Sequence, residues 1–211
     1  PEGGEASALL GLTAHMQGRW LELFRSEFTE WVRAAPDFIS NVFDGHLCLA
    51  QFCLCGAGGT EQIRVAASEL LSLAESAGSE PGRALALSCL GETALFSGYV
   101  DEAERLLVEA ERIHGETGAV AGRALALERL AEIQLVRGQK YKANRTVQRA
   151  LNVALDSWLN PHLAMRLKAL AVQTAASPEE VAQIIAEGDR SLYGPSACQP
   201  CSMGFRTASA I

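Results

Sequence analysis

The sequence predicts an all-α fold, a right-handed stack of antiparallel helix pairs, and three observations carry that expectation. Helix breakers return at a fixed interval of 40 residues, linking Gly18, Gly58, Gly98 and Gly138 and then Pro178. The hexapeptide Gly82-Arg83-Ala84-Leu85-Ala86-Leu87 recurs at the same offset as Gly122-Arg123-Ala124-Leu125-Ala126-Leu127. Ala, Leu and Glu dominate and aromatics are only 6%, a composition suited to helices and poor in the residues that sheets prefer. Breakers that come back at one spacing mark the same turn in successive structural units.

The units follow in order. Ala8–Gln17 and Arg19–Ala34 pair around Gly18, with Ala35-Pro36 as the break, and Pro36–Cys55 and Thr60–Ala77 pair around Gly56–Gly59. In the third unit, Arg83–Ser97 carries Leu87, Leu90, Ala94 and Leu95 at the spacing of a buried stripe. Gly98 ends that helix as a C′ glycine, since glycine enters the left-handed conformation freely. Val100–His114 then sets Ala103, Leu106, Leu107 and Ala110 on one face, and Gly115 and Gly118 stop it. Its first turn holds Asp101, Glu102 and Glu104, where the helix dipole favours acids. The fourth unit has helices near 119–137 and 140–157, closed by Asn160-Pro161 because proline disfavours helix in the residue before it. The fifth is Pro161–Ala175 and Pro178–Arg190, with Pro178 suited to a helix start. After Tyr193-Gly194-Pro195, Ser202–Ile211 opens one more helix. The units run at about 5–35, 36–78, 81–118, 119–158 and 160–192, with a sixth begun at 198–211. They read as a single repeat domain and as a fragment of something longer.

Composition bounds the function. The 211 residues hold 18 Lys+Arg against 25 Asp+Glu, a formal charge of −7, which argues against direct nucleic-acid contact by this segment. Apolar residues at 48% supply a core, and no run is long enough to span a membrane. Pro1–Glu5 lacks the basic start of a signal peptide. Six cysteines are too few for a disulfide-stapled secreted domain, so free thiols in a cytoplasmic setting are expected.

Leu90-Gly91, Gly98, Ala103, Leu107 and Ala110 resemble the tetratricopeptide pattern: a small residue at the helix-A contact, Gly at the turn, Ala at the helix-B contact. Leu10-Gly11 with Gly18 repeats its first part. The resemblance covers nearly the whole chain, and the third unit is nearest the consensus. The 40-residue interval exceeds the family's usual ~34, which implies longer helices, and Ala131 replaces the helix-A glycine in the fourth unit. More narrowly, Gly82–Leu87 with Leu90-Gly91-Glu92, then Gly98 and Asp101-Glu102-Ala103-Glu104, resembles the helical-repeat region of large actinobacterial LuxR-type transcriptional regulators. Cys198-Gln199-Pro200-Cys201-Ser202 before a new helix is similar to that group as well. The resemblance implies a TPR-like sensory region that, in such proteins, an ATPase module precedes and a helix-turn-helix follows. Neither a Gly-x-x-x-x-Gly-Lys-Ser/Thr loop nor a DNA-reading helix pair lies within these residues.

The chemistry-bearing residues weigh mostly toward structure. Cys198 and Cys201 read as Pro-flanked thiols at a helix start, with half of a zinc site or a redox pair as the sharper alternatives. A tetrahedral centre needs two further ligands that the spacing does not supply, and thioredoxin-type chemistry needs a preceding strand. Cys48, Cys53, Cys55 and His46 sit among apolar residues as buried thiols would. His15, His46, His114 and His162 have no nucleophile at a recognisable spacing. Arg137, Lys140, Lys142, Arg145 and Arg149 form a basic stretch best read as a solvated face, with an anion-binding patch as the sharper alternative. Trp20, Phe24, Phe28 and Trp31 form an aromatic stripe expected to be core, self-association through it being the alternative.

No catalytic constellation, metal site or cofactor is therefore expected. The expected function is a non-enzymatic module that takes a protein, a peptide or a small effector in a concave groove lined by the first helices. Arg83, Ser88, Glu92, Arg123, Glu128 and Glu132 are the candidate partner-binding residues, alternating in charge along that surface. The competing reading is a stand-alone scaffold or adaptor unrelated to transcription.

Overall fold

The computed structural model describes residues 9–11, 13, 14, 17, 19–37, 39, 59–157, 160–192 and 205–210. Among them the regular elements are all helices, with no strand. The longer ones are α1 Trp20–Ala34, α2 Thr60–Ala77, α3 Glu80–Phe96, α4 Val100–Glu116, α5 Val120–Val136, α6 Lys140–Ala154, α7 Asn160–Thr174 and α8 Pro178–Leu192. The chain forms two compact units, residues 1–122 and 123–211, the division falling in the first turn of α5.

One turn is used again and again. Gly78, Gly98, Gly118 and Gly138 all have positive φ, at 66°, 82°, 73° and 72°. After each, the next backbone N–H reaches back to a carbonyl of the preceding helix. Ser79 donates to Ala74 at 2.9 Å, Tyr99 to Ala94 at 2.9 Å, Ala119 to His114 at 2.9 Å and Gln139 to Gln134 at 2.8 Å. This bond satisfies a carbonyl that the helix end would leave without a partner, and glycine takes the left-handed step without a Cβ clash. From Gly78 to Gly138 the breaker interval of 40 is thus two steps of 20 residues, each ending in the same turn. Gly118, not Gly115, makes the turn after α4, because the helix continues through Glu116.

In the first unit, α1 packs on α2, α2 on α3 and α3 on α4. Phe24, Phe28, Val32, Ile39, Leu70, Ala74, Leu85 and Ala86 form its buried cluster, with the Phe24 and Phe28 ring centroids 6.2 Å apart. Phe24 and Phe28 are therefore core, as expected for the aromatic stripe; the Trp20 side chain, Phe38, Phe43 and Phe52 lie outside the described residues. α3 begins three residues before the Arg83 expected from the repeat. Its cap is Ser79, whose Oγ accepts the Gly82 N–H at 3.1 Å and donates to the Pro36 carbonyl at 2.7 Å, with Pro81 in the first turn. At Gly91 a Cβ would stand 2.6 Å from Leu107, so the glycine is what lets α3 and α4 approach.

In the second unit, Ala131, Val147, Leu170 and Ala171 are buried together, with Leu135, Leu151 and Ile184 against them. α6 packs on α7 and α7 on α8. Phe205, in the helical turn at 205–209, is fully buried and fills the place a side chain at Gly188 would take. The alanines that repeat in the sequence disappear from solvent: Ala103 and Ala143, and Ala110 and Ala150, are all 0% exposed. No helix of the described residues is long and apolar enough to cross a membrane.

Candidate functional site

Arg83 on α3 donates to Glu80 at 3.0 Å and to Glu109 of α4 at 2.8 Å. Arg112, one turn along α4, holds the same Glu109 at 2.8 Å. Hydrogen bonds from Arg112 and then Arg83 pull the Glu109 carboxyl down to about 2. Ser88 bonds the same helix, its Oγ lying 3.2 Å from Nε2 of His114. Both residues thus engage the second helix of their pair. Glu92 and Glu128 are buried, at 4% and 5% exposure.

Glu128 and Glu132 belong to a buried charge network between α5 and α7. Arg166 grips Glu128 through two nitrogens at 3.1 and 2.9 Å, and Arg129 holds Glu132 at 2.7 and 2.8 Å. Two guanidinium groups face two carboxylates, which is the condition for burying charge without leaving it uncompensated. Desolvation pushes the Glu132 carboxyl up, and Arg129 pulls it back.

Arg123 differs from the other five. It lines an open depression of about 630 Å³ with Arg145 and Arg149 of α6, the amides of Asn144 and Gln148, and one carboxylate, Asp156. The sequence assigned Arg123 to the groove and Arg145 and Arg149 to an outer basic face; the structure joins them in one concavity. Arg137, Lys140 and Lys142 are not part of its lining.

No protein-family model matches this chain, and no curated protein matches it in sequence. The reading of the site rests on its chemistry.

Sequence spacing missed the Ser88–His114 contact, because the partners stand 26 residues apart on different helices. His114 is 1% exposed, and its ring occupies the space a Cβ at Gly122 would need, 2.5 Å from the nearest ring atom. Burial lowers its pKa to about 4, and Nδ1 is buried with no hydrogen-bond partner among the described residues. A hydroxyl–imidazole pair becomes a nucleophile system when a third group orients the ring and substrate can reach the hydroxyl. Here Nδ1 has no such orienting group, and the neutral ring is packed as a core side chain.

Cys89 packs on the first unit's core, and desolvation pushes its thiol up to about 12, far from the range of a reactive thiolate. Among the described residues no three His, Cys, Asp or Glu side chains gather in a metal-binding arrangement. Cys48, Cys53, Cys55, Cys198, Cys201, His15 and His46, and the side chain of His162, lie outside the described residues.

Proposed function

We propose that this chain is a non-enzymatic binding module, a TPR-like right-handed stack of helix pairs acting in the cytoplasm as the sensory region of a bacterial transcriptional regulator. The observation that carries the reading is the contrast between its interior and one surface. The Arg166–Glu128 pair is largely shut off from water between α5 and α7, while Arg123, Arg145 and Arg149 line one open concavity. A scaffold that neutralises charge inside and gathers like charge at one place is suited to capturing a ligand. The repeated wording of residues 82–92 and 98–104, with its resemblance to LuxR-type regulators, supports the regulatory setting. Capture on α5 and α6 would act by changing how those two helices pack, since both sides of the depression would be tied by one ligand.

The test has two parts. Screening the purified chain by thermal shift against small effectors and peptides should give a saturable rise in melting temperature that Arg123→Glu removes. The coding sequence flanking residues 1–211, read in both directions, should contain a helix-turn-helix. A saturable ligand with no such motif favours the scaffold or adaptor; no ligand at all overturns the binding reading.

A further inference from the structure

We propose that the depression formed by Arg123 of α5 and Arg145, Gln148 and Arg149 of α6 is a binding site for a small anion carrying phosphoryl groups. This rests on the reading of the chain as a binding module and names the chemistry of what it binds.

The first support is the charge of the lining. Three arginines and one carboxylate, Asp156, leave a formal surplus of two positive charges in about 630 Å³, on a chain whose net charge is −7. The second is that the sequence of α6 is uniformly basic where the isolated helix would gain from acids. The helix carries Lys140, Lys142, Arg145 and Arg149 and no acid from Lys140 to Ala154. Two lysines in the first turn oppose the helix dipole, and Arg145 and Arg149 are like charges one turn apart, an arrangement that destabilises an isolated helix. The third support is the counterpart pair. At the positions of Glu80 and Glu109, which meet Arg83, the next repeat has Val120 and Arg149. The core of the repeat is kept while the acid that belongs at this place is exchanged for a base.

Charge density decides the class of ligand. Arg145 and Arg149 stand one helical turn apart, roughly 6 Å, so the opposing charge has to be concentrated. A phosphoryl group brings about −1.5 to −2 within one tetrahedron, where a carboxylate brings −1. Guanidinium forks match its oxygens two at a time, and the side-chain amide of Gln148 is a further donor.

Isothermal titration of the 211-residue chain with sodium pyrophosphate, at about 0.15 M salt where diffuse surface attraction is screened, tests this. One saturable site is expected, weakened about tenfold or more by Arg149→Ala and again by Arg145→Ala. Lys142→Ala should stay within about twofold, since Lys142 shares the helix and its net charge but does not line the depression. Circular dichroism of each variant should match the parent. Absence of saturable binding, equal weakening by Lys142→Ala, or citrate binding as tightly as pyrophosphate each overturns the proposal. If pyrophosphate fails while another ligand raises the melting temperature in the screen, the phosphoryl assignment falls and the binding module stands.

Discussion

The helix pairs α3–α4 and α5–α6 share their turn, their buried alanines and their hexapeptide, and differ in what they show to water. α4 carries six acids, from Asp101 to Glu116, and Glu109 ties Arg112 and Arg83 together. α6 carries four cations and no acid. Asp101 and Glu102 correspond to Tyr141 and Lys142, and Glu109 to Arg149. Gly98 and Gly138 nevertheless make the same left-handed step, and Ala103 and Ala143 are equally buried. The repeated residues hold the fold; what a particular pair does has to lie in the residues that changed.

The largest test of this contrast removes charge from where it is buried. Arg166→Met leaves Glu128 in the interior of the second unit without its two-point partner, and should cost about 3–5 kcal/mol in denaturant unfolding. Glu128→Leu added to it should restore most of that loss. The matching change on the surface of α4, Arg112→Ala, breaks only half-exposed pairs and should cost less than about 1 kcal/mol. Similar losses for Arg166→Met and Arg112→Ala would show that the network of α5 and α7 is no more desolvated than a surface pair.

The next test exploits one position of the shared turn. Ala74, Ala94, His114 and Gln134 all supply the carbonyl that accepts the closing bond, and His114 alone of the four titrates. Its folded pKa of about 4 lies below the ordinary 6.5, so the folded state holds the neutral ring. The stability from this group is fully present above pH 6.5 and falls as the unfolded chain takes up a proton that the folded chain refuses. By pH 4 the loss should reach ~3 kcal/mol. His114→Gln, which copies the residue found at 134, should flatten the profile between pH 6.5 and 4. A profile unchanged by that substitution would assign the acid sensitivity elsewhere.

A smaller effect separates the two left-handed glycines, Gly98 after α3 and Gly118 after α4, from Gly115 in the last turn of α4. Gly98→Val forces a β-branched residue to φ near +82° and should cost about 1–2 kcal/mol, although a Cβ there meets no atom within 4 Å. Gly115→Val stays in the last helical turn and should cost less than Gly98→Val. Gly118→Val should match Gly98→Val. If Gly115→Val proves the worst of the three in thermal melts, the turn has been misplaced.

Much of this architecture was legible in the chain. Breaker spacing and apolar stripes set the helix limits to within a few residues from Thr60 onward, because each limit depends on glycine, proline or a stripe that recurs at a known period. What periodicity could not reveal was the start of α3, which depends on a hydroxyl contact from Ser79 to Pro36 far back in the chain. It also missed the half-period: Gly78 and Gly118 lie 40 residues apart, each four residues before the repeated hexapeptide, but out of phase with the series of breakers through Gly98 and Gly138. The site was less legible. Spacing along one helix groups Arg145 with Arg149, but only packing of α5 on α6 brings Arg123 to them. Likewise Glu128 and Glu132 look like outward charges until Arg166, 38 residues on from Glu128, arrives beside them. Charges are placed by tertiary contact, and a linear pattern carries no record of which partner comes.

The smallest effect is the sharpest, because its sign distinguishes a structural role from a functional one. Arg149→Glu restores at α6 the residue that α4 has at the same place. In the α3–α4 pair that acid meets Arg83 at 2.8 Å, and Arg123 is the counterpart of Arg83 lining the same depression as position 149. The substitution also ends the like-charge spacing between positions 145 and 149 and provides an opposite-charge pair in its stead. If Arg149 serves the fold, its reversal should lower the melting temperature. If it serves a ligand, reversal should raise stability by a few tenths of a kcal/mol, up to about 1, and abolish pyrophosphate binding together. A variant that is both more stable and unable to bind is the expected result. A less stable variant that still binds would return Arg149 to the solvated face of α6 and leave the difference between the two pairs without a function.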